Sequence, residues 1–73
     1  MKFTPIVSSN LSGAFHDGKD LYLEYVKGPV YKYEDVPVQV YDELLVAESA
    51  GKFFHLNIRE HFAYERVAET AIE

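Results

Sequence analysis

Three histidines, one Ser-x-x-Lys pair, a surplus of carboxylates and a set of tyrosines interleaved with lysines are the residues of this 73-residue chain that can do chemistry. His16, His55 and His61 offer imidazoles. His55 and His61 are six positions apart, which on a helix of about 3.6 residues per turn sets them roughly 120° apart. They lack the i, i+4 spacing that brings two imidazoles onto one zinc ion, and His16 lies beside a turn. We read them as separate surface histidines and expect no metal and no other cofactor. Ser49-Ala50-Gly51-Lys52 matches the bare Ser-x-x-Lys pattern of serine acyl-enzymes. The companion motifs are missing, and a helix N-cap accounts for Ser49 without catalysis. The carboxylate pairs Glu34 and Asp35, Asp42 and Glu43, and Glu60 and Glu65 fall at turns and on polar helix faces, whereas a general acid needs a desolvated carboxyl in a cleft. No catalytic constellation emerges, and the expectation is a binding protein, not an enzyme.

Tyr22, Tyr31 and Tyr33, with Lys19, Lys27 and Lys32, place aromatic rings and bases along sheet-forming segments. This pattern allows two readings. Tyr31 and Tyr33 can stack unpaired bases of RNA, or they can pack under helices with their hydroxyls at the rim. Packing is the favoured reading, because three lysines in a net-negative chain make a thin electrostatic footprint.

The secondary structure around these residues is set by the period of the apolar positions. Leu11, Gly13 and Phe15 alternate with Ser12, Ala14 and His16; Asp17-Gly18-Lys19 signals a turn. Leu21, Leu23 and Tyr25 alternate with Tyr22, Glu24 and Val26, as in a half-buried strand. Gly28-Pro29 interrupts, and Val30–Glu34 forms a third strand. Asp35 or Val36 then caps a helix with Pro37 in its first turn, and Val40, Tyr41, Leu44 and Leu45 recur at helical spacing. Ser49 caps a second helix carrying Phe54, Ile58 and Phe62. The fold expected is α+β: a three-stranded antiparallel meander with two helices packed on one face. Its core would join Leu11, Phe15, Leu21, Leu23 and Tyr25 to Leu44, Leu45, Phe54, Ile58 and Phe62. One helical layer covers one side of a sheet, so the other side, with Ser12, Ala14, Tyr22, Glu24, Val26 and Lys32, is the expected partner surface. The organisation expected is an irregular arm over residues 1–6, a domain over 7–66 and a tail over 67–73; whether residues 63–67 pair with a sheet edge stays open.

Composition bounds the rest. A chain this short holds a single core, and 15% aromatic residues supply much of its buried area. Cysteine is absent, so there is no disulfide framework. No apolar run approaches a bilayer span, and we expect a monomer without membrane contact, located in the cytoplasm. The net charge is −5. An acidic surface repels phosphate backbones unless a local basic patch intervenes and suits a basic protein partner.

Several pieces occur in a fixed order: Val7-Ser8-Ser9-Asn10-Leu11, Phe15-His16-Asp17, Leu21-Tyr22-Leu23-Glu24-Tyr25, Tyr31-Lys32-Tyr33, Val36-Pro37, Ser49-Ala50-Gly51-Lys52-Phe53-Phe54, Ile58-Arg59 and Phe62. This string resembles the KTSC domain, a family named for a C-terminal extension of some lysyl-tRNA synthetases and found also as free-standing small proteins in bacteria and phages. Gly28-Pro29 stands where the family often shows two glycines. The resemblance implies RNA binding, through association with the synthetases. The free-standing phage members imply a second role. A compact acidic chain of this size is similar to a phage-encoded regulator of Xanthomonas RNA polymerase, which inhibits initiation and promotes antitermination. The leading expectation is thus a regulator that contacts host RNA polymerase through Tyr22, Val26, Lys32, Asp42 and Glu43. The alternative is an RNA-binding module that stacks bases on Tyr31 and Tyr33.

Overall fold

Leu21 and Leu23, at alternate positions of the central strand, seed a sheet that is larger than the expected three strands. The computed structural model describes residues 2–68. Its elements are β1 (Thr4–Pro5), β2 (Leu11–His16), β3 (Leu21–Tyr25), β4 (Val30–Tyr33), α1 (Val38–Val46), α2 (Ala50–Asn57) and β5 (Tyr64–Ala68). The strands form one five-stranded sheet in the order β1-β2-β3-β4-β5, antiparallel throughout. The α+β class and the two helices on one face agree with expectation; the strand number is corrected from three to five. The supposed arm contributes β1, whose Thr4 and Pro5 pair with Ala14 and Gly13. The segment after α2 returns to the sheet as β5, with Tyr64 opposite Tyr33 and Glu65 opposite Lys32. Val67 and Ala68, read as tail, belong to β5; residues 69–73 of that tail lie outside the described residues. Both added strands are edges, and the charges of β5 and the proline of β1 are common features of edge strands.

The core lies between the sheet and the helices. Leu11, Leu21, Leu23, Leu44 and Ile58 are at most 1% exposed, and Ala14, Tyr33, Val36, Ala50 and Phe54 join them. Burying one such leucine contributes roughly 1.5–3 kcal/mol. The expected inward position of Phe15 is overturned. The β2–β3 register shifts between Leu11 and Gly13, and the extra residue of a bulge inverts the parity of the rest of the strand. Leu11 and Ala14 therefore both point into the core. Phe15 points to the other face, against Phe3 (ring centroids 6.3 Å apart) and Tyr22 (6.1 Å). His16 faces the helices.

Local chemistry fixes the connections. Asp17 Oδ1 accepts from the backbone N–H of Asp20 (2.7 Å) and Lys19 (2.9 Å), and those two bonds hold its carboxyl below the usual carboxylate range. Gly18 takes the φ of 102° that the turn requires. The hairpin then anchors the entry to α1: Asp20 Oδ1 accepts from Asp35 N–H (3.0 Å), Lys19 O from Val36 N–H (3.0 Å) and Val36 O from His16 Nε2 (2.6 Å). Asp35 does not cap α1. It sits at φ 56°, and the N-cap is Pro37 without a side-chain bond. Ser49 does cap α2, accepting from Lys52 N–H at 3.2 Å. That helix stops at Asn57, one turn earlier than the Phe54–Ile58–Phe62 stripe implies; Ile58 is its C-cap and Phe62 lies in the following turn. Leu45, expected in the core, is 36% exposed.

Candidate functional site: a tyrosine-lined cleft

Tyr25 ends β3, Tyr31 and Tyr33 lie two apart on β4, and Tyr64 opens β5; the registers put all four on the helix side of the sheet. Helix α2 covers only part of that side. Its Phe54 meets Tyr25 and Tyr33 edge-on, with centroids 6.0 and 5.7 Å away. From there the rings close a circuit. Tyr25 meets Tyr31 edge-on at 5.3 Å, Tyr31 meets Tyr64 at 5.9 Å, and Tyr64 stacks on Tyr33 at 5.4 Å with 27° between planes. Beside this circuit opens a cleft of about 470 Å³, lined by the four tyrosines with Asn10, Lys27, Pro29 and Arg59 among others. Two lining side chains are cationic, Lys27 and Arg59, and none is a carboxylate.

The tyrosines differ in role. Tyr33 is 2% exposed and belongs to the floor, whereas Tyr64 is 56% exposed and offers its ring to solvent. The hydroxyls of Tyr25 and Tyr33 lie 3.2 Å apart. Burial first, and then this bond, push the Tyr33 hydroxyl far above the ordinary phenol range. Burial likewise raises Tyr25. Neither phenol ionises near neutrality, so the cleft presents neutral aromatic surface beside two fixed cations. Arg59 Nη1 donates to Nδ1 of His55 at 3.2 Å, which holds the guanidinium at the end of α2.

The residues expected to meet a partner do not form one patch. Tyr22 and Lys32 are cross-strand neighbours on the bare face, where no described element packs; Lys32 pairs with Glu65 at 3.4 Å. Val26 lies not on that face but at the rim of the cleft. Asp42 and Glu43 are exposed on α1. Tyr31 and Tyr33 pack toward the helices and also line the cleft. The histidines stay apart. His16 bonds Val36, His55 bonds Arg59, and His61 Nε2 donates to Leu56 O at 3.0 Å. Among the described residues no group of three or more His, Asp or Glu is placed to hold a metal ion, and no helix is long and apolar enough to cross a membrane. Sequence reading set Lys27 beside Tyr31 and Tyr33 but overlooked Tyr25, Tyr64 and Arg59 as partners in the same site. The available signal was aromatic spacing on β3 and β4; the rest needed the unrecognised fifth strand.

An antiparallel meander with a helical pair on one face and an aromatic cleft beside it defines a small α+β fold. The model of the KTSC domain matches residues 7–62, and the chain belongs to that family. A protein of Tsukamurella paurometabola is 37% identical over 60 residues, covering 80% of this chain and 90% of that one. A lysine–tRNA ligase of a Nostoc species is 42% identical over 48 residues, 66% of this chain but 9% of the ligase. A crystal structure of a KTSC domain protein from Yersinia pestis superposes with a TM-score of 0.84 at 23% identity, covering 92% of this chain and 97% of that one; this likeness shows the fold.

Proposed function

We propose that the chain is a non-catalytic recognition module that takes unpaired RNA into the tyrosine-lined cleft. One observation carries the reading: four tyrosines converge with Lys27 and Arg59, and no carboxylate lines the space they share. Aromatic faces alone would suit a quaternary ammonium group as well. The two cations disfavour such a ligand and favour one that joins an aromatic ring to an anion, as a nucleotide does. Stacking on an aromatic side chain is tolerant of base identity, so modest sequence preference is expected. A duplex keeps its bases inside the helix, away from the cleft. The relation to lysine–tRNA ligases, enzymes that by name act on an RNA, fits the same reading.

Fluorescence anisotropy of a labelled single-stranded RNA tests it. Truncating the exposed ring with Tyr64→Ala removes a stacking surface of about 1–3 kcal/mol and should weaken binding roughly five- to hundred-fold. Arg59→Ala should weaken it and flatten its salt dependence. An affinity that is undetectable at low salt, or indifferent to Tyr64→Ala, sinks the proposal.

A second reading is protein contact with host RNA polymerase, in which occupancy disfavours initiation and favours passage through terminators. Its support is the exposed Asp42 and Glu43, suited to the basic surface of an enzyme that handles nucleic acid. Titration of purified polymerase against the protein, with RNA absent, separates the two: micromolar binding without RNA affinity would replace the first reading by the second.

A further inference from the structure

The negative charge of this molecule is concentrated in one stretch. Five of its twelve acids and none of its seven bases lie between Lys32 and Lys52, and the remainder is balanced at seven against seven. The stretch includes all of α1. Leu44 turns into the core, and on a helix of about 3.6 residues per turn Val38, Asp42 and Val46 then share the opposite side. Val38 is 55% exposed and Val46 82%. Beside them, between the N-terminal segment and the end of α1, runs a groove of about 360 Å³ lined by Pro5, Val7, Leu45, Ala47 and Glu48 among others. Exposed valines and carboxylates thus share the outer side of α1, and the apolar groove with Glu48 at its rim lies at the C-terminal end of the same helix.

We propose that this surface docks a basic amphipathic segment of a protein partner, apolar side chains in the groove and lysines or arginines against Asp42, Glu43 and Glu48. Charge decides among the occupants. A second copy joined by two-fold symmetry would present the same patch to itself, and although Lys52 adjoins Glu48, α1 carries no base to offset Asp42 and Glu43. A nucleic acid or an anionic membrane meets the same repulsion. A cationic partner gains from it, in rate as well as in selectivity. The inference is independent of RNA binding, and it specifies the chemistry of the contact without requiring polymerase as the partner.

Backbone-amide NMR with two synthetic probes tests this: an amphipathic leucine–lysine peptide and its leucine–glutamate counterpart. The lysine peptide should shift amides of residues 38–48 and Val7 and leave those around Tyr31 and Tyr64 in place. Asp42→Lys with Glu43→Lys, or Val46→Ser, should weaken it by at least about tenfold, on the scale of removing a favourable charged or apolar contact. All three positions are exposed, and an otherwise unchanged spectrum verifies that each variant is folded. The inference fails if the lysine peptide leaves α1 unperturbed, if the glutamate peptide binds equally, or if the same amides respond to protein concentration alone, which would reveal a self-associating face. An RNA titration on these variants reads the cleft separately, so loss of one proposal leaves the other to stand or fall alone.

Discussion

Tyr33 shows how one side chain serves both stability and the site. Its ring closes the aromatic circuit between Phe54 and Tyr64, and its hydroxyl is tied to Tyr25. Burial raises its pKa in the folded state, so above the ordinary phenol value of about 10 the unfolded chain loses a proton that the folded chain keeps. The unfolded state then binds fewer protons, and stability must fall as pH rises further. The contribution is fully present below that value. Denaturant midpoints should accordingly be flat between neutrality and about pH 9 and drop beyond about pH 10. Tyrosinate absorbance should appear in a cooperative step together with unfolding for the buried phenols. Tyr33→Phe should soften the alkaline drop and, by deleting one hydrogen bond, cost about 1 kcal/mol at neutral pH. A gradual, non-cooperative titration of every tyrosine in the folded protein would contradict this account.

At the scale of elements, the legible parts were those whose local chemistry is strong. The Asp17-Gly18 turn, the inward Leu21, Leu23 and Tyr25, and the Ser49 cap all stand as the sequence implies. Ser49→Ala should cost about 1 kcal/mol, lowering the melting temperature by about 4–8 °C in a domain of this size, which calorimetry can read; a shift near zero would mean that water replaces the cap without loss. The illegible parts share a physical reason. Alternation cannot reveal a bulge, although Gly13 inside β2 is the residue type that marks one, and the inverted parity sent Phe15 outward and His16 inward. Thr4–Pro5 is too short for any period, and Tyr64-Glu65-Arg66-Val67-Ala68 is an edge strand whose charges blur its pattern. Half of the candidate site was hidden with them. Tyr31 and Tyr33 were visible as a pair, but Tyr64 joins them only through β4–β5 pairing, and Arg59 only because α2 ends before it.

For the whole molecule, the decisive property is the separation of charge from the cleft. A net charge of −5 argues against nucleic acid, yet the surplus belongs to the stretch containing α1 while two cations line the cleft. Distance and screening decide which prevails. The molecule is at most 28 Å across. At physiological ionic strength the Debye length is about 8 Å, so the field of α1 is largely spent before it crosses the protein; at about 0.01 M it reaches roughly 30 Å and spans it. Neutralising Asp42→Asn and Glu43→Gln should therefore leave RNA affinity nearly unchanged at physiological salt and raise it at very low salt. Direct contacts behave otherwise. With Lys27 and Arg59 as the two phosphate partners, log affinity should fall against log salt with a slope of about −1.4. If the doubly neutralised variant instead binds RNA more tightly by the same factor at both salts, the strand must run over α1 itself, and the cleft is not where it sits.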